Sequence, residues 1–214
     1  MTGGSRGIGL AIKLFFEKKG ICVVAPKREE LDLNSNESIQ NYCSDNNDFD
    51  ILINCAGINK LASLEEIEES ELQEMIQVNL LSQALLIKYV SENMKRKKYG
   101  RIVNVSSIWS NFSKTRRVMY SSAKAGVNGL TIGAAVELAP YNILINAVAP
   151  GFVKTEMTFK NNTPEQIKQI ESNLPMKRMA DVNEIAELVY FLASFHNSYI
   201  TGQTIFIDGG FSCV

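Results

Sequence analysis

Tyr120 and Lys124 stand four residues apart in Tyr120-Ser-Ser-Ala-Lys124. On a helix that spacing puts both on one face, about one turn apart. A nearby ammonium favours phenolate and should draw the phenol down from its reference value of about 10 towards neutrality. A tyrosine so placed can give or take a proton near neutral pH. Ser107, thirteen residues upstream, offers a hydroxyl to the same chemistry. Tyr-x-x-x-Lys occurs by chance in many helices, so its weight rests on what else the chain carries.

A second element opens the chain: Thr2-Gly3-Gly4-Ser5-Arg6-Gly7-Ile8-Gly9, running into the apolar pattern Ile8, Ala11, Ile12, Phe15, Phe16. This is a glycine turn leading into an amphipathic helix. Glycines let the backbone approach a pyrophosphate closely, and free N–H groups at the helix start attract its charge. The helix ends at Lys18-Lys19-Gly20 and is followed by the apolar run Ile21–Ala25, completing half of a nucleotide-binding βαβ unit.

Together these pieces resemble the short-chain dehydrogenase/reductase family. Asn54-Cys-Ala56-Gly57 is similar to its Asn-Asn-Ala-Gly motif, with cysteine in the second place. Asn79 matches its helix asparagine, and Ser107, Tyr120 and Lys124 complete the catalytic tetrad. Pro150-Gly151-Phe-Val153-Lys-Thr155 and Ile200-Thr-Gly-Gln with Asp208-Gly-Gly210 match the later motifs. The resemblance runs in order over nearly the whole chain and looks closest to the 3-oxoacyl-carrier-protein reductase branch. It implies an NAD(P)-dependent carbonyl reductase or dehydrogenase. The cofactor would lie on Gly3, Ser5, Arg6, Gly7, Ile8, Gly9, Asn54, Ala56, Gly57, Tyr120, Lys124, Pro150, Gly151, Val153 and Thr155.

The elements that must position these groups follow from the apolar pattern. Strand-like runs at Ile21–Ala25, Asp50–Ile53, Arg101–Val105, Ile143–Val148 and Thr204–Ile207 alternate with amphipathic stretches. Helix starts are signalled by Asn34 before Glu37, Ser63 before Glu66, Asp181 before Glu184, and Thr163-Pro164. Short apolar strands between helices predict an α/β protein, a Rossmann-type doubly wound parallel sheet covered on both faces. The 214 residues fit one domain, 1–214, and 45% hydrophobic content is enough to cover such a sheet.

Two departures from the family pattern matter. The glycine loop begins at residue 2, so the first strand of the family sheet is lacking, and Met1 stands where that strand's last valine would be. This predicts that the natural chain begins upstream or that another segment fills the gap; otherwise the chain is a truncated product of low stability. The sheet is also compressed after its second strand, so Asp32 in Asp32-Leu-Asn34 stands where the family's adenine-side Asp motif would be.

Charge and composition exclude several classes. A net charge of −1 argues against nucleic acid as a partner, and the cluster Lys95-Arg-Lys-Lys98 suits a solvated helix end. Four cysteines lack metal spacing and His196 is the only histidine, so no metal site is expected. Cys22 and Cys55 are expected in buried strands. No cleavable signal or membrane-length apolar run is present, which leads to the expectation of a reduced, cytoplasmic protein.

The resemblance assigns the proton to Tyr120 and carbonyl polarisation to Ser107. Lys124 would bind the nicotinamide ribose and favour the phenolate. Asn79, at a helix kink, would hold a water linking Lys124 to solvent. Lys27 and Arg28 after the second strand, with Arg6 in the loop, predict NADP(H) over NAD(H), since an acid there would repel a 2′-phosphate. Ile108, Trp109, Phe112, Arg116, Arg117 and Met119 are expected to line the entrance, and Phe152–Pro175 to form its lid. The substrate is a carrier-bound or small carbonyl compound: a 3-oxoacyl carrier, or a sugar or polyol. Lys98 occupies one of two basic positions that carrier-protein reductases present beside the entrance, but Tyr141 stands at the other. A cofactor-binding protein without turnover is the reading from another class. Apolar surplus at Leu80, Leu81, Leu85, Leu86, Ile87, Val127, Leu130, Ile132 and Val136, with the family resemblance, predicts a homo-oligomer, a tetramer or dimer.

Overall fold

Four short apolar runs pair side by side, all parallel: β1 (Ile51–Asn54), β2 (Gly100–Val105), β3 (Ile143–Pro150) and β4 (Thr204–Ile207), in the order β1-β2-β3-β4. The structure, a computed structural model, describes residues 1–214. Ile53 pairs with Val103 and Val103 with Asn146, while Ala147 pairs with Thr204. Every residue of β2 and β3 is buried, as a parallel sheet covered on both faces requires.

On one face, α2 (Asn36–Asp45), α4 (Ser82–Lys97) and α5 (Val118–Leu138) close a core around Ile39, Leu86, Met94, Ile102, Leu138 and Ile145. On the other, α1 (Gly7–Lys18) and α8 (Val182–Ala193) close a second around Ile12, Phe16, Val103, Val148, Ile185 and Val189. Phe15 and Phe16 meet Tyr190 edge to face, with centroids 5.5 and 5.4 Å apart. The shorter α3 (Glu69–Ile76), α6 (Glu156–Lys160) and α7 (Pro164–Asn173) lie in the connections.

Local signals set most boundaries. Thr163 and Asp181 head full capping boxes with Gln166 and Glu184, and Pro164 is the first residue of α7. Elsewhere the expected starts shift. Ser35 rather than Asn34 caps α2, because its hydroxyl accepts from Ser38 N. Ser63 and Glu66 close a turn, and α3 begins only at Glu69.

The first part of the sheet differs from its expectation for a physical reason. Ile21–Ala25 lies outside the ladder with no strand paired to it, and Cys22 there is exposed. Thr2 forms a single parallel bridge to Asn54, its N–H donating to Ile53 O at 2.9 Å. The Met1 nitrogen donates to Val24 O at 2.6 Å.

Candidate active site

Three strands end at one edge of the sheet, and each releases a motif there: Asn54 into Cys55-Ala56-Gly57, Val105 into Ser106-Ser107, and Pro150 into Gly151. Ligands in open α/β sheets bind at such carboxyl ends. Ser107 is buried, its oxygen accepts from Trp109 N at 3.2 Å, and its hydroxyl lies near enough to the Tyr120 phenol to favour the phenolate. It therefore caps the short turn Ile108–Ser110 as well as facing Tyr120.

The electrostatics correct one expectation. Burial pushes the Tyr120 phenol above its ordinary value; the Ser107 hydrogen bond and the Arg117 guanidinium pull the other way. Lys124 Nζ donates to Val105 O at 2.7 Å and lies 5.8 Å from the Tyr120 ring centre. Burial lowers Lys124 itself to about 8. In a desolvated wall the cost of either charge outweighs their attraction at this distance.

Asn79 is fully buried in a π-helical turn, Gln77–Leu81, that joins α3 to α4. Such turns mark places where a helix is locally re-aimed. Its Oδ1 accepts from Ile58 N at 2.9 Å and its Nδ2 donates to Ile58 O at 2.8 Å. Both ends of the amide are thus engaged by one residue of the loop after Gly57, and what Asn79 does here is hold that loop.

Several supporting contacts carried no signal in the sequence. Asn54 Nδ2 donates to Asn104 Oδ1 (2.9 Å), and Asn104 Nδ2 to Thr131 Oγ1 (3.0 Å), a polar chain crossing the sheet into α5. The Ser106 hydroxyl donates to Asn128 Oδ1 at 2.7 Å. The Thr2 hydroxyl accepts from Cys55 N and Ala56 N at 3.1 and 3.2 Å, tying the glycine loop to the end of β1. These are buried polar side chains whose partners lie many residues away, so only the fold reveals them.

The cofactor motifs converge on the same edge. A Cβ on Gly9 would come within 2.0 Å of Gly3 O, and Gly3 itself has φ +73°. Gly3 sits so close to Ala56 that a Cβ there would meet Ala56 N at 2.8 Å. Beside Gly7 stands the Thr155 methyl, and beside Gly57 stand Asn79 and Lys124. Ser5 and Arg6 are exposed on the loop, Ile8 packs into the core, Gly151 N donates to Ile207 O, and Val153 bridges Ala180. Asn54 Oδ1 and Asn59 Oδ1 are buried without a hydrogen-bond partner. A tight backbone cradle opening a 12-residue helix, with orphaned acceptors along one side, fits a dinucleotide.

Lys27 and Arg28 are exposed beyond Ile21–Ala25, but an acid stands beside them: Glu30 Oε2 accepts from Lys27 N at 2.8 Å. Asp32 accepts from Asn34 N and pairs with Arg28 at 3.6 Å. At the entrance, Trp109, Phe152 and Phe211 pack edge to face, with centroids 5.8 to 6.2 Å apart. Lys98 and Tyr141, by contrast, precede β2 and β3 and so lie at the opposite end of the strands from Ser107. Within one subunit they do not flank the entrance. No group of acidic, histidine and cysteine side chains is arranged to hold a metal, and no helix is long and apolar enough to cross a membrane.

Comparison with known proteins agrees with this geometry. A family model described as Enoyl-(Acyl carrier protein) reductase matches residues 29–212. The 3-oxoacyl-(acyl-carrier-protein) reductase of Buchnera aphidicola is 35% identical over 98% of this chain and 95% of its own. The solved structure of ElxO with NADP bound is 32% identical, with TM-score 0.90, covering 100% of this chain and 97% of that one. That of 4-hydroxyisoleucine dehydrogenase complexed with NADH is 26% identical, with TM-score 0.95, covering 100% and 98%. The chain belongs to the short-chain dehydrogenase/reductase family and is an NAD(P)-dependent oxidoreductase acting on carbonyl and CH–OH groups.

Proposed function

From that membership, we propose that the protein reduces a ketone to a secondary alcohol with NADPH, Tyr120 giving the proton. The observation that carries this reading is the meeting of Ser107, Tyr120 and Lys124 beside the glycine cradle at one edge of the sheet. When bound, the nicotinamide supplies the hydride. Ser107 donates a hydrogen bond to the substrate oxygen, and Tyr120 delivers its phenolic proton to that oxygen as negative charge develops. A phenol kept protonated by burial is suited to the reductive direction, since it holds the proton until the substrate oxygen needs it. Lys124 would hold the nicotinamide ribose, and Asn79 fixes the loop after Gly57. Positioned proton donation of this kind contributes about 10²–10⁴-fold in rate.

The NADPH preference rests on Lys27, Arg28 and Arg6, with the Glu30 carboxylate turned onto the Lys27 amide and away from duty as a ribose acceptor. NADPH and NADH oxidation measured side by side test it. Changing Lys27 and Arg28 together to alanine should raise the Michaelis constant for NADPH far more than that for NADH. Equal effects, or a native preference for NADH, would refute it.

Curated relatives favour a carrier-bound 3-oxoacyl substrate. A sugar, polyol or other small carbonyl compound is the alternative; Lys98 and Tyr141, at the far end of the strands, bear on neither substrate within one subunit. Self-association belongs to the same reading. Leu86, Ile87 and Val127 are buried and Leu80, Leu85 and Leu130 half-buried, but Ile132 and Val136 on α5 are 55% and 74% exposed beside open Gly129 and Gly133. That face is apolar, small and free to receive a second copy.

A further inference from the structure

Arg117 is a half-buried cation with no acid beside it. Its neighbour Arg116 reaches Leu61 O at 3.2 Å and Glu66 at 3.8 Å, and Arg178 forms a two-pronged pair with Glu184 at 2.7 Å. The Arg117 guanidinium makes no hydrogen bond or ion pair, and lies 5.1 Å over the Trp109 ring, near enough to Tyr120 for the two to affect each other. A helix-stabilising role does not account for it. Arg117 heads α5, where a cation opposes the helix dipole. Desolvating a guanidinium is costly unless something pairs with it.

Beyond Trp109 lies an open cavity of about 370 Å³, of the size small-molecule sites have. One wall is aromatic: Trp109, Phe152 and Phe211. The other is a face of α7 carrying Gln166, Gln169 and Asn173. Their internal bonds leave both kinds of group unused. Gln166 Oε1 serves Thr163 N, which leaves its Nε2 to donate; Gln169 Nε2 serves Asn173 Oδ1, which leaves Gln169 Oε1 to accept and Asn173 Nδ2 to donate. Hydroxyl groups both donate and accept, so a mixed amide wall suits them. Lys114 is the one charged residue lining the cavity, and no carboxylate does.

Building on the reductase reading, we propose that Arg117 anchors a carboxylate or phosphate on the substrate. The cavity, which shares Trp109 with Arg117, takes the rest of that substrate as a hydroxylated chain or ring. The fork of an arginine matches either anion with two parallel hydrogen bonds. The substrate is thus a hydroxylated carbonyl acid or phosphate ester.

Trp109 is the only tryptophan in the chain, so its emission reports this site without any turnover. With NADP⁺ present, D-gluconate, D-glucitol 6-phosphate and neutral D-glucitol are titrated; they share a six-carbon hydroxylated chain and differ at its end. At least one of the two anions should bind ten or more times tighter than glucitol, and ten or more times tighter than hexanoate. Which anion binds better tells carboxylate from phosphate. Arg117→Met should erase the margin over glucitol, while Arg117→Lys, which keeps the charge, should preserve the order. Glucitol binding as well as both anions, a margin intact in Arg117→Met, hexanoate matching gluconate, or no saturable binding of either anion would overturn the proposal. Anion preference without NADPH oxidation of any ketone would instead sink the reductase reading and leave the anchor standing.

Discussion

Gly9→Ala is the perturbation whose consequence can be worked most directly from distances. The new Cβ would lie 2.0 Å from Gly3 O and 2.8 Å from Gly3 C, and 3.4 Å from Cys55 Sγ. Contacts below 3.0 Å are essentially never seen for a real Cβ, so the loop and the helix must separate by at least 1.0 Å, which is 3.0 less 2.0. Gly3 cannot retreat, because it already abuts Ala56, and Thr2 is held by Ile53 O and by its hydroxyl on Cys55 N and Ala56 N. The movement therefore falls on the first turn of α1, where the N–H groups that would face a pyrophosphate are. Overpacking of this kind costs about 1–3 kcal/mol of stability. The same shift takes the anion-binding amides out of hydrogen-bond range, and each 1.4 kcal/mol lost there is about tenfold in affinity. The variant should melt several degrees lower yet cooperatively, and bind NADPH at least tenfold more weakly by fluorescence titration. A folded variant with NADPH affinity within twofold of the native protein would refute the cradle.

Gly133→Ala tests the exposed face of α5. Nothing lies within 4 Å of the added Cβ, so a monomer should gain about 1 kcal/mol, whereas a protein that pairs through this face should dissociate more readily in sedimentation. Glu184, held down to about 2 by its hydrogen bonds to Arg178 and then to the Asp181 backbone, should stabilise the fold fully above about pH 4.5 and lose that contribution as pH falls towards 2. Both partners are about 40% exposed, so the difference in stability between native protein and Glu184→Gln should stay near 1 kcal/mol and shrink between pH 5 and pH 3.

The parts of the fold legible in the sequence were those governed by local chemistry. Thr163-Pro164 and Asp181 with Glu184 mark their helices because a cap is made within four residues. The apolar runs of β2 and β3 read as buried parallel strands because both faces are covered. Ile21–Ala25 reads equally well as a strand, yet pairing is a property of the neighbour, and no strand lies alongside it. The motif residues of the site were legible by spacing and family order. Their electrostatics were not, since the Lys124–Val105 hydrogen bond and the Arg117–Trp109 contact depend on groups far away in the chain or on burial. The Asn104–Thr131 and Ser106–Asn128 hydrogen bonds were invisible for the same reason: an asparagine in a strand or helix shows no sign of a partner across the sheet.

Tyr120→Phe gives the most direct test of the chemistry. The ring's packing survives the change while the transferable proton is gone, so the variant should bind NADPH as the native protein does. Its single-turnover reduction of a ketone, followed at 340 nm, should fall by about 10² or more. Retention of more than about a tenth of the native rate, with cofactor binding intact, would contradict Tyr120 as the proton donor.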